Sequence, residues 1–357
     1  MNQAKKILID LGKLKNRYSG LGEVSFNFGK TLSENISLLK NQNLDVHLLV
    51  PAKYKGAFGN DLKYVSLNFF KRHFSFLNKK YQLWYSIHQD SGYMPGNKKT
   101  KYLLTINDLN FIFKEDKKKI AKRLSNLQKK INRACYITAI SGFTKSEIQH
   151  HLPVQNIPVE VIYCGVTDTA KIKSKRPEEM DSGVKFFFHI STIMPKKNVM
   201  VLIDMMKLMP DKKLIIAGSW DSNYAKEILL RIQKERISNI ITLSKINDAQ
   251  KAWLFQNCEA FFFPSYQEGF GIPVIEAMYC GKPVFASTYT SLPEIGSDKA
   301  FYWNNFEPEY MKNIVIEKME SIKNNPEFFK ELQQYAATFT WQKNVVRYIA
   351  LFKELLS

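Results

Sequence analysis

Cysteine is scarce in this chain, and the few cysteines are not grouped. The 357 residues include four cysteines, which lie far apart and form no paired motif. Because zinc sites and disulfide frameworks need closely spaced cysteines, the pattern favours neither of them. A reducing cytoplasm is therefore the expected compartment. The four are Cys135, Cys164, Cys258 and Cys280.

Long hydrophobic runs are also absent. No apolar run approaches the roughly 20 residues that a membrane-spanning helix requires. At the start, Lys5 and Lys6 precede only a short apolar segment that Asp10 interrupts, which predicts a first strand and not a signal peptide. No repeat of solenoid length occurs. The sequence thus predicts no segment integral to a membrane.

Acidic residues are too few to balance the basic ones. The chain has 52 Lys and Arg against 33 Asp and Glu, a formal net charge of +19. Residues 1–170 hold 27 basic and 12 acidic residues, whereas the remainder holds 25 and 21. The excess of positive charge in the first half favours an anionic partner, whether nucleic acid, anionic lipid or a phosphorylated substrate.

One basic segment, residues 67–81, also carries several aromatic side chains. A helix that packs its aromatic residues into the core and solvates its lysines would have this composition. A peripheral segment on an anionic membrane surface would have it too, since rings enter the headgroup layer and cations meet anionic lipids. Nucleic acid also fits the composition, although it is the less expected partner.

The length and the hydrophobic pattern predict two domains. Strand patterns alternate with helical patterns in both halves, which indicates two doubly wound α/β domains facing across a cleft. We expect a first Rossmann-like domain over residues 1–170 and a polar linker over 171–183. A second such domain would cover 184–340. A final helical run follows over residues 341–357.

The stretch Phe261–Met278 is the most informative part of the sequence. An apolar run ends at Phe263, two glycines follow, and Pro273 suits the first turn of a helix. Gly269 and Gly271 would let backbone amides approach a ligand closely. A helix N-terminus with free N–H groups favours an anion, so we predict a phosphate or diphosphate site here.

Two carboxylates, Glu268 and Glu276, flank this turn. Their charge does not suit a phosphate, but they would accept hydrogen bonds from hydroxyl groups on either side of it, as a nucleotide-sugar offers. The simpler alternative is an ordinary strand-turn-helix connection with two solvated glutamates.

The segment Glu268–Ala277 resembles the E-x7-E signature of the family 4 glycosyltransferases, which are retaining enzymes of the GT-B fold. The resemblance implies that Glu276 holds the donor ribose and that Glu268 lies against the transferred sugar and takes part in catalysis. It also implies that the backbone around Gly269, Phe270, Gly271 and Ile272 binds the diphosphate. The final helix is expected to cross back onto the first domain.

Other segments extend the resemblance along the chain. Lys197, with Lys196 as its neighbour, matches the basic pair that meets the diphosphate in the family. A glycine loop with Gly20 and Gly22 resembles the one that faces the donor phosphate in relatives, although alone it is more often a tight turn. A further strand pattern ends at Gly218 and predicts a position at the cleft.

Asn107 and Asp108 stand where the family has a His-Asp dipeptide. The resemblance places both in the catalytic site, with Asn107 at the position of a histidine that contacts the donor sugar. Asparagine donates and accepts hydrogen bonds but carries no proton at neutral pH, so sugar preference is open here.

These features predict a retaining hexosyltransferase in bacterial surface polysaccharide or lipopolysaccharide assembly. It would use a nucleoside diphosphate sugar, a sugar or lipid-linked acceptor, and neither metal nor other cofactor. A cytoplasmic location is expected, with the inner face of the cell membrane as an option. Two alternatives stay open: a GT-B epimerase or phosphorylase, and a non-enzymatic basic module for membrane or nucleic acid.

Overall fold

A computed structural model describes residues 3–17, 19–67, 80–113, 116–181 and 183–357. Most of the basic-aromatic segment 67–81 lies outside these residues. The chain divides into two compact units, the first made of Met1–Gly165 with Thr340–Ser357 and the second of Val166–Phe339. Within the described ranges, no helix is both long and apolar enough to cross a bilayer.

The first unit contains a seven-stranded sheet in the order β3-β2-β1-β4-β5-β6-β7. All pairs are parallel. The inner strands β1, β2, β4, β5 and β6 are nearly continuous runs of buried residues, as expected where helices cover both faces, whereas the edge strands β3 and β7 are only partly buried. The strands are β1 Lys5–Asp10, β2 Leu44–Val50, β3 Lys63–Ser66, β4 Leu83–Ser86, β5 Lys101–Ile106, β6 Tyr136–Ala139 and β7 Val159–Val161. The helices are Gly20–Glu34, Ile36–Asn41, Lys117–Ile131, Gly142–His151 and Trp341–Leu356.

The second unit contains a six-stranded parallel sheet in the order β10-β9-β8-β11-β12-β13. Its core is rich in phenylalanine and methionine side chains. The strands are β8 Phe187–Thr192, β9 Leu214–Ser219, β10 Ile240–Leu243, β11 Ala260–Phe263, β12 Val284–Ser287 and β13 Phe301–Trp303. The helices are Met200–Lys207, Asn223–Lys234, Asp248–Asn257, Ile272–Tyr279, Leu292–Gly296, Pro308–Ile322 and Pro326–Ala336.

Each sheet has a point where the strand order reverses. In the first unit β1 pairs with both β2 and β4, and in the second unit β8 pairs with both β9 and β11. Ligands of doubly wound folds bind outside the carboxyl ends of the strands at such a point. The topology therefore predicts ligand binding at the segments that follow β1, β4 and β5, and at those that follow β8 and β11.

The predicted linker over residues 171–183 is not a linker in the structure. The segment belongs to the second unit, which begins at Val166. Gln256 donates to the carbonyl of Ile172 at 3.1 Å, and the Lys175 amide donates to the Ala249 carbonyl at 3.0 Å. The polar composition that suggested a linker reflects a surface segment bound to the helix Asp248–Asn257.

The final helix, Trp341–Leu356, packs in the first unit through a group of hydroxyls. The Tyr348 hydroxyl lies 3.1 Å from Thr105 Oγ1 and 3.0 Å from Thr138 Oγ1, beneath the sheet strands β5 and β6. The Tyr348 ring stacks on Tyr85 at a centroid distance of 4.9 Å. Buried hydroxyls with partners on two strands fix the position of the helix on the sheet.

Replacing Tyr348 with phenylalanine should destabilise the first unit by about 1 kcal/mol, because the ring is kept and the buried hydroxyl contacts are lost. Thermal unfolding followed by circular dichroism measures the change. Val346→Ala on the exposed side of the same helix is the matched control and should shift the transition little. Equal shifts for the two variants would contradict this account.

Candidate functional site

The turn that joins β11 to the next helix is tightly held. Gly271 is the N-cap of Ile272–Tyr279 and has φ +103°, a left-handed conformation that favours glycine. The buried hydroxyl of Ser291 lies 3.1 Å from each of the carbonyl oxygens of Glu268 and Phe270, to which it donates. The backbone of the predicted anion turn is therefore fixed before any ligand binds.

Glu268 pairs with Lys197 at this turn. The Lys197 ammonium donates to Glu268 Oε1, and the two side chains are only 14% and 13% exposed. Lys197 ends the short 3₁₀ turn Pro195–Lys197 that follows β8, and its Nζ lies 5.3 Å from the centroid of the Phe263 ring. The structure thus brings two predicted site residues, 71 positions apart, into direct contact.

Glu276 is almost fully buried and pairs with a lysine that the sequence analysis missed. Glu276 Oε1 accepts a hydrogen bond from Lys251 Nζ at 2.7 Å, and the side chains are 3% and 13% exposed. Lys251 lies on the helix Asp248–Asn257, four residues before the buried Phe255. The local sequence around Lys251 does not identify this partner, because the two residues are 25 positions apart.

Other predicted residues of the second unit have structural roles as well. The Phe270 side chain is buried and meets Phe339 edge-on at 6.0 Å between centroids, so only its backbone can serve a ligand. The Lys196 carbonyl accepts the Tyr266 amide at 2.8 Å. Gly218 is the penultimate residue of β9 and lies opposite Ser191 of β8 in the sheet register.

A histidine beneath this region has a defined tautomer. His189 Nδ1 lies 2.8 Å from the Phe262 carbonyl, which can only accept, so Nδ1 carries the proton. His189 Nε2 therefore accepts from the Ser191 hydroxyl at 2.8 Å. Burial lowers the pKa of His189 to about 4, so the imidazole is neutral at pH 7.

In the first unit, Asn107 and Asp108 follow β5 and are bonded to the loop after β4. The Asn107 amide donates to Gln89 Oε1 at 3.0 Å, and Gln89 Nε2 donates to the Asp108 carbonyl at 2.8 Å. Among the residues that the structure describes, Asn107 Oδ1 is buried without a hydrogen-bond partner. An unpaired buried carbonyl oxygen is a position for a ligand hydroxyl or a water molecule.

The same edge of the sheet holds a polar cluster that the sequence analysis did not single out. Asp10, at the end of β1, is 1% exposed and accepts from the Ser91 hydroxyl and from the Gly12 amide at 2.8 Å. Burial raises the pKa of Asp10 above its usual range. Lys130 donates to the Ser91 carbonyl at 2.5 Å and fixes the loop after β4. The sequence feature that could have indicated this cluster is Asp10, a charged residue within a buried strand.

His88 belongs to this loop and is 2% exposed. Its Nδ1 is buried and has no hydrogen-bond partner within the described part of the chain. Burial, with the positive charges of Lys13 and Lys130, lowers the pKa of His88 to about 3. The first unit therefore presents a neutral imidazole and an amide oxygen on adjacent loops.

Gly20 and Gly22 start the helix Gly20–Glu34, which Ser19 caps by accepting the Gly22 amide at 3.2 Å. A Cβ atom on Gly22 would lie 1.9 Å from the Asn16 carbonyl oxygen, whereas one on Gly20 would meet nothing within 4 Å. Gly22 is thus needed for the packing of the chain on itself, and only Gly20 leaves space for a ligand.

No group of three or more His, Cys, Asp or Glu side chains that could hold a metal ion occurs in the described ranges. The polar groups described above at the two sheet edges are lysines, amides, hydroxyls, imidazoles and carboxylates.

Comparison with known proteins bears on both units. Residues 170–339, just under half of the chain, match the family model described as Glycosyl transferases group 1. The chain is 15% identical to a glycosyltransferase structure from Rickettsia africae, with a TM-score of 0.74 and full coverage of both chains. It is 16% identical to Anabaena HepE in complex with UDP and glucose, with a TM-score of 0.70 over 99% of each chain.

The protein has the GT-B fold. This confirms the predicted class of two Rossmann-like α/β domains with parallel sheets. Similarity at these identities establishes the fold alone.

Relatives of this GT-B protein include transferases of O-antigen synthesis. The chain is 25% identical over 233 residues to O-antigen chain mannosyltransferase B of Escherichia coli, covering 60% of both chains. It is 23% identical over 214 residues to O-antigen chain mannosyltransferase RfbU of Salmonella typhimurium, covering 60% of this chain and 58% of the relative. The chain thus spans about three fifths of the length of these relatives.

Lys251→Met should destabilise the second unit by about 3 kcal/mol, because the Glu276 carboxylate stays buried without its cation. Removing both charges, in Lys251→Met with Glu276→Leu, should recover most of that loss. Urea denaturation followed by tryptophan fluorescence measures both. Lys318→Met removes an exposed pair with Glu317 and should cost less than about 1 kcal/mol. A Lys251 variant as stable as the Lys318 variant would show that the buried pair is unimportant.

Gly22→Ala should lower stability by about 3 kcal/mol, since Cβ would overlap the Asn16 carbonyl. Gly20→Ala should leave the melting temperature nearly unchanged. If the backbone at Gly20 contacts a donor phosphate, this second variant should still bind nucleoside diphosphates more weakly. Differential scanning fluorimetry and calorimetric titration separate the two effects, and wild-type behaviour of Gly22→Ala would contradict the packing role.

Proposed function

We propose that this protein is a glycosyltransferase that moves a hexosyl group from a nucleoside diphosphate sugar to a glycan acceptor in bacterial surface polysaccharide assembly. The observation that carries the proposal is the Lys197–Glu268 pair beside the glycine turn that precedes Ile272–Tyr279. The relatives named as O-antigen mannosyltransferases support a mannosyl donor.

The second unit supplies the groups that a nucleotide-sugar needs. The fixed turn at Gly269–Gly271 and the ammonium of Lys197 suit the diphosphate, because backbone N–H groups and a lysine together favour an anion. Glu276 is held by Lys251 through Oε1, and we assign its carboxylate to the ribose hydroxyls. Glu268 is assigned to the transferred sugar, and Lys196 and Gly218 to the rim of the same pocket.

The Lys197–Glu268 pair implies an exchange of partners when the donor binds. Without ligand the lysine charge neutralises Glu268, whereas a diphosphate offers the same ammonium a stronger anion. As Lys197 turns to the diphosphate, the Glu268 carboxylate becomes available to a sugar hydroxyl. Charge that develops on the departing diphosphate is then stabilised by groups already in position.

We further propose membership of family 4 and retention of anomeric configuration, on the basis of the E-x7-E segment. The acceptor hydroxyl would attack on the face from which the diphosphate departs, and its proton would pass to a phosphate oxygen. The roles assigned above need neither a covalent enzyme nucleophile nor a metal.

The first unit is proposed to bind the acceptor. Asn107 Oδ1 and His88 are unpaired polar groups suited to neutral sugar hydroxyls, and Asp108 offers a nearby carboxylate. We place the protein in the cytoplasm, where its basic first unit would meet the anionic inner face of the cell membrane when the acceptor is lipid-linked.

A panel of UDP-, GDP- and ADP-sugars, assayed for release of nucleoside diphosphate with an acceptor glycan, tests the function. Glu276→Gln keeps a hydrogen bond to Lys251 and should weaken donor binding about 100-fold, since a charged acceptor of ribose hydroxyls is lost. Glu268→Gln should lower kcat by about 100-fold with little change in donor affinity. Calorimetry with the nucleotide and steady-state kinetics provide the two measurements.

Glu317→Gln, an exposed change in the same unit, is the control for both variants. Donor affinity that is unchanged in folded Glu276→Gln would refute the assignment of the ribose site. If the protein converts a donor to its epimer in the absence of any acceptor, its function is epimerisation and not transfer.

A further inference from the structure

A cavity of the first unit lies at the edge opposite to the candidate site. It is formed where β1, β4 and β5 begin, and its volume is about 550 Å³. Ligand pockets in proteins commonly have volumes of this size. The residues that line it are Gln3, Lys5, Lys80, Tyr81, Gln82, Asn97, Lys99, Thr100, Lys101 and Leu356.

Four of the lining residues are lysines, and none of the others is acidic. Lys5 donates to the Leu356 carbonyl. Among the described residues, no carboxylate forms an ion pair with Lys80, Lys99 or Lys101. Residues 68–79, which precede Lys80, contain no Asp or Glu in their sequence. Three of the four lysines therefore have no carboxylate partner within the described part of the chain.

Two side-chain amides in the pocket also present donors. Gln82 Oε1 accepts the Lys6 amide at 2.8 Å, and Asn97 Oδ1 accepts the Lys99 amide at 3.0 Å. A backbone N–H only donates, so the oxygen of each side chain is identified and its NH2 group remains. The pocket thus combines four ammonium groups with two amide donors.

The backbone that carries these donors is fixed. The Thr100 hydroxyl donates to the Tyr81 carbonyl at 2.8 Å, and the Arg133 guanidinium donates to the carbonyls of Asn97 and Thr100 at 2.7 Å each. The Lys101 amide donates to the Gln82 carbonyl at 2.8 Å. When a ligand binds, only the lysine side chains would therefore have to become ordered, which limits the entropic cost of binding.

We propose that this four-lysine pocket binds a phosphate-bearing anion with at least two charges, such as a diphosphate or a phospholipid headgroup. Lysine recognises phosphate as a mobile point charge, and several lysines around one cavity suit a ligand with several charged oxygens. The volume exceeds what one phosphate fills. The site goes beyond the proposed transfer reaction, because it lies at the amino ends of strands in the unit that does not contain Lys197.

The test compares Lys80→Gln/Lys99→Gln/Lys101→Gln with Lys117→Gln/Lys118→Gln/Lys122→Gln in the full chain. The control removes the same charge from three exposed lysines of one helix, for which no ion pair occurs among the described residues. Inorganic diphosphate is titrated into each by calorimetry at low salt. In a Lys197→Gln background, which removes the cation of the proposed donor site, the pocket variant should bind the probe at least tenfold more weakly than the control.

Lys197→Gln separates this site from the proposed donor site. If it keeps the diphosphate binding that the pocket variant loses, the pocket is supported whatever the outcome for sugar transfer. Equal binding by the pocket variant and its charge-matched control would overturn the proposal.

Vesicles of phosphatidylcholine with and without cardiolipin, whose headgroup carries two phosphates, then identify the source of the ligand. Parallel loss of diphosphate and anionic-vesicle binding in the pocket variant supports a lipid headgroup. Loss of diphosphate binding alone supports a soluble phosphate compound.

Discussion

The second unit depends on the pairing of two carboxylates, the buried Glu276 and the partly buried Glu268, with two lysines. Glu268 and Glu276 lie on one short strand-turn-helix segment, but their cations come from other parts of the chain, Lys197 after β8 and Lys251 on the preceding helix. A buried carboxylate without a partner is strongly destabilising, so each pair ties an acid of the motif to another element. The geometry that a nucleotide-sugar needs is thereby also part of what holds the unit together.

The two pairs differ in how far they can be disturbed. The Glu276 side chain is 3% exposed, which suits a fixed hydrogen-bond acceptor. Glu268 and Lys197 are both about one seventh exposed, so water or a ligand reaches them. One pair therefore acts as a permanent support, and the other can exchange partners without unfolding its surroundings.

Much of the fold followed from the sequence because its signals are local. Apolar runs such as Phe261–Phe263 with glycine and proline after them predicted the strands, the turn and the helix that the structure contains. The linker prediction failed because polar composition does not report contacts, and residues 171–183 are bonded to a helix. Lys251 and Asp10 were missed because their importance depends on burial against residues distant in the chain. At Gly22 the sequence predicted a ligand role but not the close approach to the Asn16 carbonyl, which also requires glycine.

The position of the last helix has a consequence for synthesis. The first unit takes Thr340–Ser357 as part of its core, so Tyr85 and Phe28 lack the Tyr348 ring until the second unit has been synthesised. A ribosome adds about 5–20 residues per second, which leaves the first unit incomplete for roughly 9–35 s while the second unit is made. The ribosome must therefore synthesise the whole second unit before the first unit can complete its core.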